Sequence, residues 1–312
     1  MNSPSNLNYE IRPCKFAERK MLLASFSRII NRIGKPYQYI GFGGLSFTDF
    51  KLFHKELNVD TMYSIEGGEY SKERILCNKP FSYIRILQGM STAMLPKIDL
   101  SQPSIIWLDY DDVMSMTVFE DIDLIFDSIS VGSIFVITCN RQLRNEETKK
   151  PYTPDELRNI FGDLTPFELE PHCCTDEKAA ITIKTMIENH CKRNLNDRNL
   201  REGTTLQIYP LYNIVYEEHR GARMYTYGGI VLDDSVNYES LNVKHFDFVN
   251  TVEPYNIKIP NITHREAFCL NQVLGDEDAE RELISKGIIT KDLLNEYKKV
   301  YKYMPNFYDV RL

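Results

Sequence analysis

The chain has 312 residues, 43% of them apolar and 26% charged, which allows one large α/β domain with an appendage or two modest domains. A net charge of −7 argues against bulk-charge coating of nucleic acid and leaves only a local basic patch open. Residues 1–20 hold no apolar core of signal-peptide length, no run is long enough to span a bilayer, and seven irregularly spaced cysteines fit reduced thiols, so a cytoplasmic protein without membrane association is expected.

Residues 1–10 read as a loose polar arm. From 16 to 33, Leu22, Phe26, Ile29, Ile30 and Ile33 recur on one helical face, and Gly34 with Pro36 ends the run. Arg12, Lys15, Glu18, Arg19 and Lys20 cluster at its start. Such a cluster is more often solvated surface than the border of a pocket. Residues 37–40 form an apolar run stopped by Gly41, Gly43 and Gly44, the pattern of a buried strand entering a tight turn. A helix follows, with Ser46 or Thr48 as its expected cap and Phe50, Phe53 and Leu57 at helical spacing. Residues 62–65 read as a second strand closed by Glu66.

Strand, glycine turn, helix, strand and acid is the layout of a nucleoside-binding βαβ unit. Ser46 stands where a dinucleotide fingerprint wants its third glycine, so a ligand without phosphates, such as S-adenosylmethionine, fits better than NAD. An ordinary turn followed by a solvated strand end remains an equal reading of the same residues.

Gly67 and Gly68 lead to a helix over about 69–76 and a third strand over 83–87, ended by Gln88 and Gly89. The Gln88 amide both donates and accepts, which suits an adenine edge; a plain turn is the alternative. A fourth strand at 105–108 ends in Asp109-Tyr110-Asp111-Asp112. Three carboxylates so close repel one another unless a cation, donors or solvent compensates, and a solvated acidic loop is the bland reading. Thr117 and Glu120 suggest a capping box for a helix reaching about residue 128. Residues 132–138 give a fifth strand of continuous apolar character ending in Cys139-Asn140, as expected of a parallel strand covered on both faces.

A polar loop at 141–150 precedes a second capping box, Thr153 to Glu156 with Pro154, opening a helix that ends near Gly162. Another helix is expected over 178–193. Strand-like runs at 205–216 and 224–231 flank the turn at Arg220-Gly221. The expected fold is α/β: a Rossmann-like, doubly wound, mostly parallel seven-stranded sheet with an antiparallel last hairpin, over residues 1–233. Residues 234–312 read as a small helical C-terminal lobe, with helices at 264–274 and 291–303 ending in Tyr303-Met304-Pro305-Asn306-Phe307, either an appendage or the seat of a protein partner. His172-Cys173-Cys174 and His190-Cys191 lack the paired spacing of a zinc site, and no phosphate loop or Ser-His-Asp pattern is present.

Tyr39-Ile40-Gly41-Phe42-Gly43-Gly44, Glu66, Gln88-Gly89 and Trp107-Leu108-Asp109-Tyr110, followed by a reversed hairpin, resemble class I S-adenosylmethionine-dependent methyltransferases over residues 13–232. More narrowly, Ile11-Arg12-Pro13-Cys14-Lys15, Glu18-Arg19-Lys20, Gly41-Phe42-Gly43 and Leu108-Asp109-Tyr110-Asp111 look like a bacterial group described as O-methyltransferases, without a settled substrate. The resemblance implies that Gly41, Phe42, Gly43 and Gly44 border the methionine part of S-adenosylmethionine. It places Glu66 at the ribose, Gln88 and Gly89 at adenine, and Asp109 near the sulfonium or amino group. Two departures are Tyr39, where an acid often precedes the glycines, and Met90, where an acid commonly meets the adenine amine.

Asp109, Asp111 and Asp112 are the candidate catalytic bases. A metal held by Asp109 and Asn140 is disfavoured because Cys139 is a poor ligand for a hard cation, so none is expected. An Asp or Asn followed by two prolines and an aromatic residue is absent, which points away from amino targets on DNA bases. The expected function is methyl transfer to oxygen on an unidentified acceptor. The rival is a non-catalytic component of this fold that binds a nucleoside or a partner, and a weaker rival, a nicotinamide oxidoreductase, is disfavoured by Ser46.

Overall fold

A computed structural model describes residues 12–68, 70–145, 147–218 and 221–304. The polar arm, Ile11, Glu69, Arg220 and Pro305-Asn306-Phe307 of the sequence reading lie outside the described residues. Helix α1, Pro13–Ile33, starts with proline where a backbone N–H has no helical partner, and Gly34 at φ 67 closes it by donating to the Ile30 carbonyl. Strand β1, Gln38–Gly41, is buried along its length. Neither Ser46 nor Thr48 caps α2, Thr48–Leu57: the N-cap is Phe47 in the left-handed region, and the Thr48 hydroxyl donates to Ser46 Oγ at 2.9 Å. Phe47 is fully buried edge-on to Phe50, so packing rather than a side-chain cap fixes the entry of this helix.

The chain continues through β2, Thr61–Glu66, the Ser71-capped α3, Lys72–Asn78, and β3, Ile84–Gln88. A short α4, Ser91–Met94, precedes β4, Ser104–Val113, α5, Met116–Phe126, and β5, Ile134–Asn140. The Thr117 box is not formed: the N-cap of α5 is Ser115, two residues earlier, and it makes no side-chain cap. Helix α6, Pro154–Phe161, does carry the reciprocal Thr153–Glu156 box. Helix α7 runs from Asp176 to Glu202, well beyond the expected span, with Leu195 buried and Arg198 donating to the Ile129 carbonyl at 2.7 Å. Its polar outer face hides that continuation in the sequence.

Strands β6, Gln207–Glu217, and β7, Arg223–Leu232, form the hairpin. They are followed by β8, Tyr255–Ile257, α8, His264–Val273, α9, Glu277–Ser285, and α10, Lys291–Val300. The sheet order is β3-β2-β1-β4-β5-β7-β6-β8, with β1 to β5 parallel and β7 antiparallel to both neighbours. Eight strands replace the expected seven because β8 lies beside Ile214–Tyr216, and so the sheet takes a strand from beyond residue 233. Leu241, Val243, Phe248, Val249 and Ile257 also join the core beneath α1 and α2, whereas Leu270, Ile289, Leu294 and Tyr297 cluster among the last three helices.

Strand order reverses between β1 and β4, and the crevice outside the carboxyl ends of these strands is where an open α/β sheet binds its ligand. One face of the sheet packs on α5 and α7, the other on α1 and α2. Among the described residues no helix is long and apolar enough to cross a membrane.

Candidate functional site

The glycine turn leaves β1 with Gly41 flanked by Ser64 of β2 and Trp107 of β4. A Cβ on Gly41 would lie 2.5 Å from the Tyr39 hydroxyl and 2.9 Å from the Trp107 carbonyl. One on Gly43 would collide with Ser64 Oγ and lie 2.7 Å from the Phe47 ring. Glycine at both positions is therefore imposed by the chain's own packing. Gly44 differs: at φ +56 it needs no Cβ for backbone reasons, and nothing stands within 4 Å of the place a Cβ would take. Phe42 is half-buried and meets Tyr110 edge to face at 5.2 Å.

Glu66 closes β2 and is only 6% exposed. Its Oε1 accepts from the Gly43 amide at 3.2 Å and from the Ser64 hydroxyl at 2.5 Å. It is thus not a solvated strand end. Burial raises its pKa to about 7, outweighing the lowering by Ser64, Gly43 and Gly44. Its register partner on β3 is Gln88, whose side chain is exposed, and the Gly89 amide donates to the Glu66 carbonyl at 3.0 Å. A buried acid and an exposed amide therefore sit side by side on the crest. Met90, the departure noted beside them, is 59% exposed.

Strand β4 does not stop before its acidic residues. It pairs Asp109 with Thr138, bulges, and resumes pairing at Val113 with Asn140, so that residues 110–112 stand opposite Cys139 alone. The bulge gives the acids separate surroundings. Asp109 accepts from Lys15 Nζ at 2.8 Å, Asp111 is half-buried and Asp112 is exposed. Tyr110 donates to Asp121 at 2.5 Å, and burial raises the pKa of both groups.

The charges at the start of α1 are not solvated surface. Lys15, Glu18 and Arg19 are 1%, 0% and 2% exposed. Lys15 Nζ reaches Glu18 Oε2 as well as Asp109, each at 2.8 Å, and lies 4.5 Å from the centre of the Trp107 ring. Glu18 accepts in turn from the hydroxyls of Tyr216 and Thr226. Thr226 and the Trp107 indole both meet Thr138, at 2.9 and 3.0 Å. Arg19 pairs with Asp49 in the first turn of α2, where a carboxylate also suits the helix N-terminus. This network lies on the α1 side of the crest and reaches it at Asp109. The sequence carried one signal for it: Lys15, Glu18 and Arg19 extend the stripe of Leu22, Phe26 and Ile29 by helical steps, so their charges fall on the buried face.

The remaining expected residues, Gly41, Phe42, Gly43 and Gly44, come together with Glu66, and Gln88 with Gly89 stands next to it. Among the described residues no three His, Cys, Asp or Glu side chains converge in the manner of a metal site.

An open sheet ordered 3-2-1-4-5-7-6 with an antiparallel seventh strand is the class I methyltransferase architecture. Residues 7–312 match the family described as "Putative O-methyltransferase", and the chain belongs to that family. No curated protein matches the sequence. Among solved structures, it is similar to Trm1 from Pyrococcus horikoshii with S-adenosyl-L-methionine, at 10% identity and a TM-score of 0.44 over 73% of this chain and 56% of that one. It is also similar to human N-acetylserotonin methyltransferase with SAM, at 11% identity and a TM-score of 0.34 over 68% and 51%. A third is a precorrin-6y C5,15-methyltransferase from Geobacter metallireducens, at 11% and 0.32 over 64% and 84%. The chain spans little more than half the length of the first two.

Proposed function

We propose that the protein is an S-adenosylmethionine-dependent methyltransferase acting on an oxygen nucleophile. Family membership supports the reaction class. The observation that carries the cofactor reading is Glu66, a carboxylate kept 6% exposed at the end of β2, against the glycine turn and level with Gln88. Ribose hydroxyls would supply donors to an acid whose charge is otherwise costly to bury. The residues present therefore fit the group: Gly41 to Gly44 for its amino-acid end, Glu66 for the ribose, Gln88 and Gly89 for adenine, and Asp109 beside the amino group or sulfonium. When bound, S-adenosylmethionine supplies an electrophilic methyl group.

The chain's own work is positioning and proton removal. Lys15 fixes Asp109, so that carboxylate is an orienting group. Phe42 and Tyr110 form an aromatic wall beside the glycine turn. Asp111, half-buried at the bulge, is the proposed base for an acceptor hydroxyl, ahead of the exposed Asp112. The last helices, with Phe268, Ile288 and Tyr301 partly exposed, are the proposed seat of a protein partner, and the free thiols support a cytoplasmic location.

The exposed Met90, at a position where an acid would meet adenine, favours a second reading, a non-catalytic nucleoside-binding component. Calorimetric titration with S-adenosylmethionine, S-adenosylhomocysteine and NAD tests both. Saturable binding of the first two, lost in Glu66→Ala, is expected. Absence of binding would remove the methyltransferase reading, and binding without S-adenosylhomocysteine release across a set of small hydroxyl acceptors would favour the second.

A further inference from the structure

We infer that the methyl acceptor is a small molecule bearing one anionic group, a carboxylate or phosphate, held in a basic cavity at the carboxyl end of β5. The assignment to an acceptor rests on the methyltransferase reading; the anion site does not. The cavity measures about 180 Å³ and is lined by Arg141, Arg144, Lys149 and Arg223, together with Thr175 and Asp176 at the start of α7. In a chain of net charge −7 this is a concentrated reversal of sign.

The ion pairs around the cavity leave cationic charge over. Arg223 reaches Asp176 at 2.9 Å and Glu217 at 3.3 Å, and Arg141 reaches the same Glu217 at 2.7 Å. Arg144 and Lys149 make no ion pair among the described residues, so among the described side chains four cations face two carboxylates. Arg141 is 7% exposed, and its Nε finds no hydrogen-bond partner among the described residues. A buried guanidinium donor without an acceptor is costly, and an oxyanion removes that cost. Helix α7, 27 residues long and without a side-chain cap, opens on the same cavity and adds its N-terminal dipole.

Position links this cavity to the crest. Arg141 follows Asn140 directly, and its amide donates to the Arg223 carbonyl at 2.8 Å. Asp109 is in register with Thr138, three residues before Arg141 on β5, so the cavity lies roughly 10 Å along the strand from Asp109. That span suits a small acceptor with its anion in the cavity and its reacting oxygen at the crest. The volume takes one anionic group, whereas a nucleic-acid strand needs a groove that follows several phosphates.

The test is calorimetric titration of inorganic phosphate and of acetate into the full chain and into Arg144→Gln, Lys149→Gln and Arg141→Lys, with S-adenosylmethionine titrated into each separately. Saturable anion binding is expected in the unaltered chain, about tenfold weaker in Arg144→Gln and in Arg141→Lys, as loss of one charge-assisted bond predicts. Affinity for S-adenosylmethionine should not change. The tighter of the two anions identifies the group as phosphate or carboxylate. No saturable anion binding, or binding untouched by Arg144→Gln and Lys149→Gln together, overturns the site. A single-stranded oligonucleotide held more tightly than phosphate through the same residues overturns the small-molecule assignment. Anion binding that the variants abolish, in a chain that binds no S-adenosylmethionine, keeps the anion site and overturns its role in methyl transfer.

Discussion

Lys15 and Asp109 are joined by an ion pair of 2.8 Å that ties the first turn of α1 to β4 just before its bulge, with the Lys15 side chain 1% exposed. The same ammonium faces Glu18, which is 0% exposed, so removing it strands a carboxylate in the interior. Breaking one side of such a pair costs about 3–5 kcal/mol, whereas replacing both sides costs far less. Lys15→Met should therefore lower the urea midpoint by that equivalent, and the double variant Lys15→Met, Glu18→Gln should recover the part of the loss that belongs to Glu18, the Asp109 part remaining. A single variant as stable as the parent would show that water or a rearranged partner reaches Glu18.

Glu66 gives the crest a pH dependence. Its folded pKa of about 7 lies above the ordinary 4.5, so the folded chain holds a proton that the unfolded chain releases. Stability from this group is present in full below pH 4.5 and is lost as pH rises through 7, by about 3 kcal/mol in all. Glu66→Gln should flatten that part of the stability profile between pH 5 and 8. Ribose hydroxyls prefer the ionised acid, so affinity for S-adenosylmethionine should rise from pH 6 to 8 with proton release on binding. Titration in buffers of different ionisation enthalpy reads that proton, and a heat independent of buffer would exclude the link.

Two of the turn glycines, Gly43 and Gly44, should respond differently to alanine. Gly43→Ala drives a methyl into Ser64 and Phe47, next to the amide that Glu66 accepts from, and should cost about 1–3 kcal/mol before any ligand is added. Gly44→Ala meets no atom and should cost only the left-handed backbone, about 1 kcal/mol. If the turn carries the cofactor, Gly44→Ala should lose affinity out of proportion to its small loss of stability. Equal losses of stability in the two variants would contradict the packing distinction.

Much of the sheet was legible because its strands are short apolar runs closed by Gly, Gln-Gly or acidic residues, and the turn, Glu66 and Gln88 do meet at one place. The first half of β4, 105–108, was read as well, but its continuation was not, because Asp109 to Asp112 look like a loop until β5 supplies a bulged partner. Strand β8 has three residues and no pattern of its own; only the edge of β6 makes it a strand. The buried charges were misjudged for a different reason: Lys15, Glu18 and Arg19 sit on the apolar stripe of α1, but local sequence does not show the Asp109, Tyr216 and Asp49 that compensate them. Ser46, Thr48 and Thr117 mislead as caps because buried Phe47 and the packing of α5 decide where those helices begin.

The bulge in β4 separates three carboxylates that are neighbours in sequence, and kinetics can assign them. Asp109 is held by a buried cation, so Asp109→Asn should weaken S-adenosylmethionine binding and stability together. Asp111→Asn should leave cofactor affinity in place and lower turnover by about 10²–10⁴, the usual contribution of general base catalysis, with loss of the acid limb of the pH–rate profile. Asp112, which is exposed, should tolerate Asn with little change in either measure. Once an acceptor is in hand, steady-state rates across pH for the three variants decide the matter. A rate for Asp111→Asn equal to the parent, with an unaltered profile, would remove it as the base and leave methyl transfer to positioning alone.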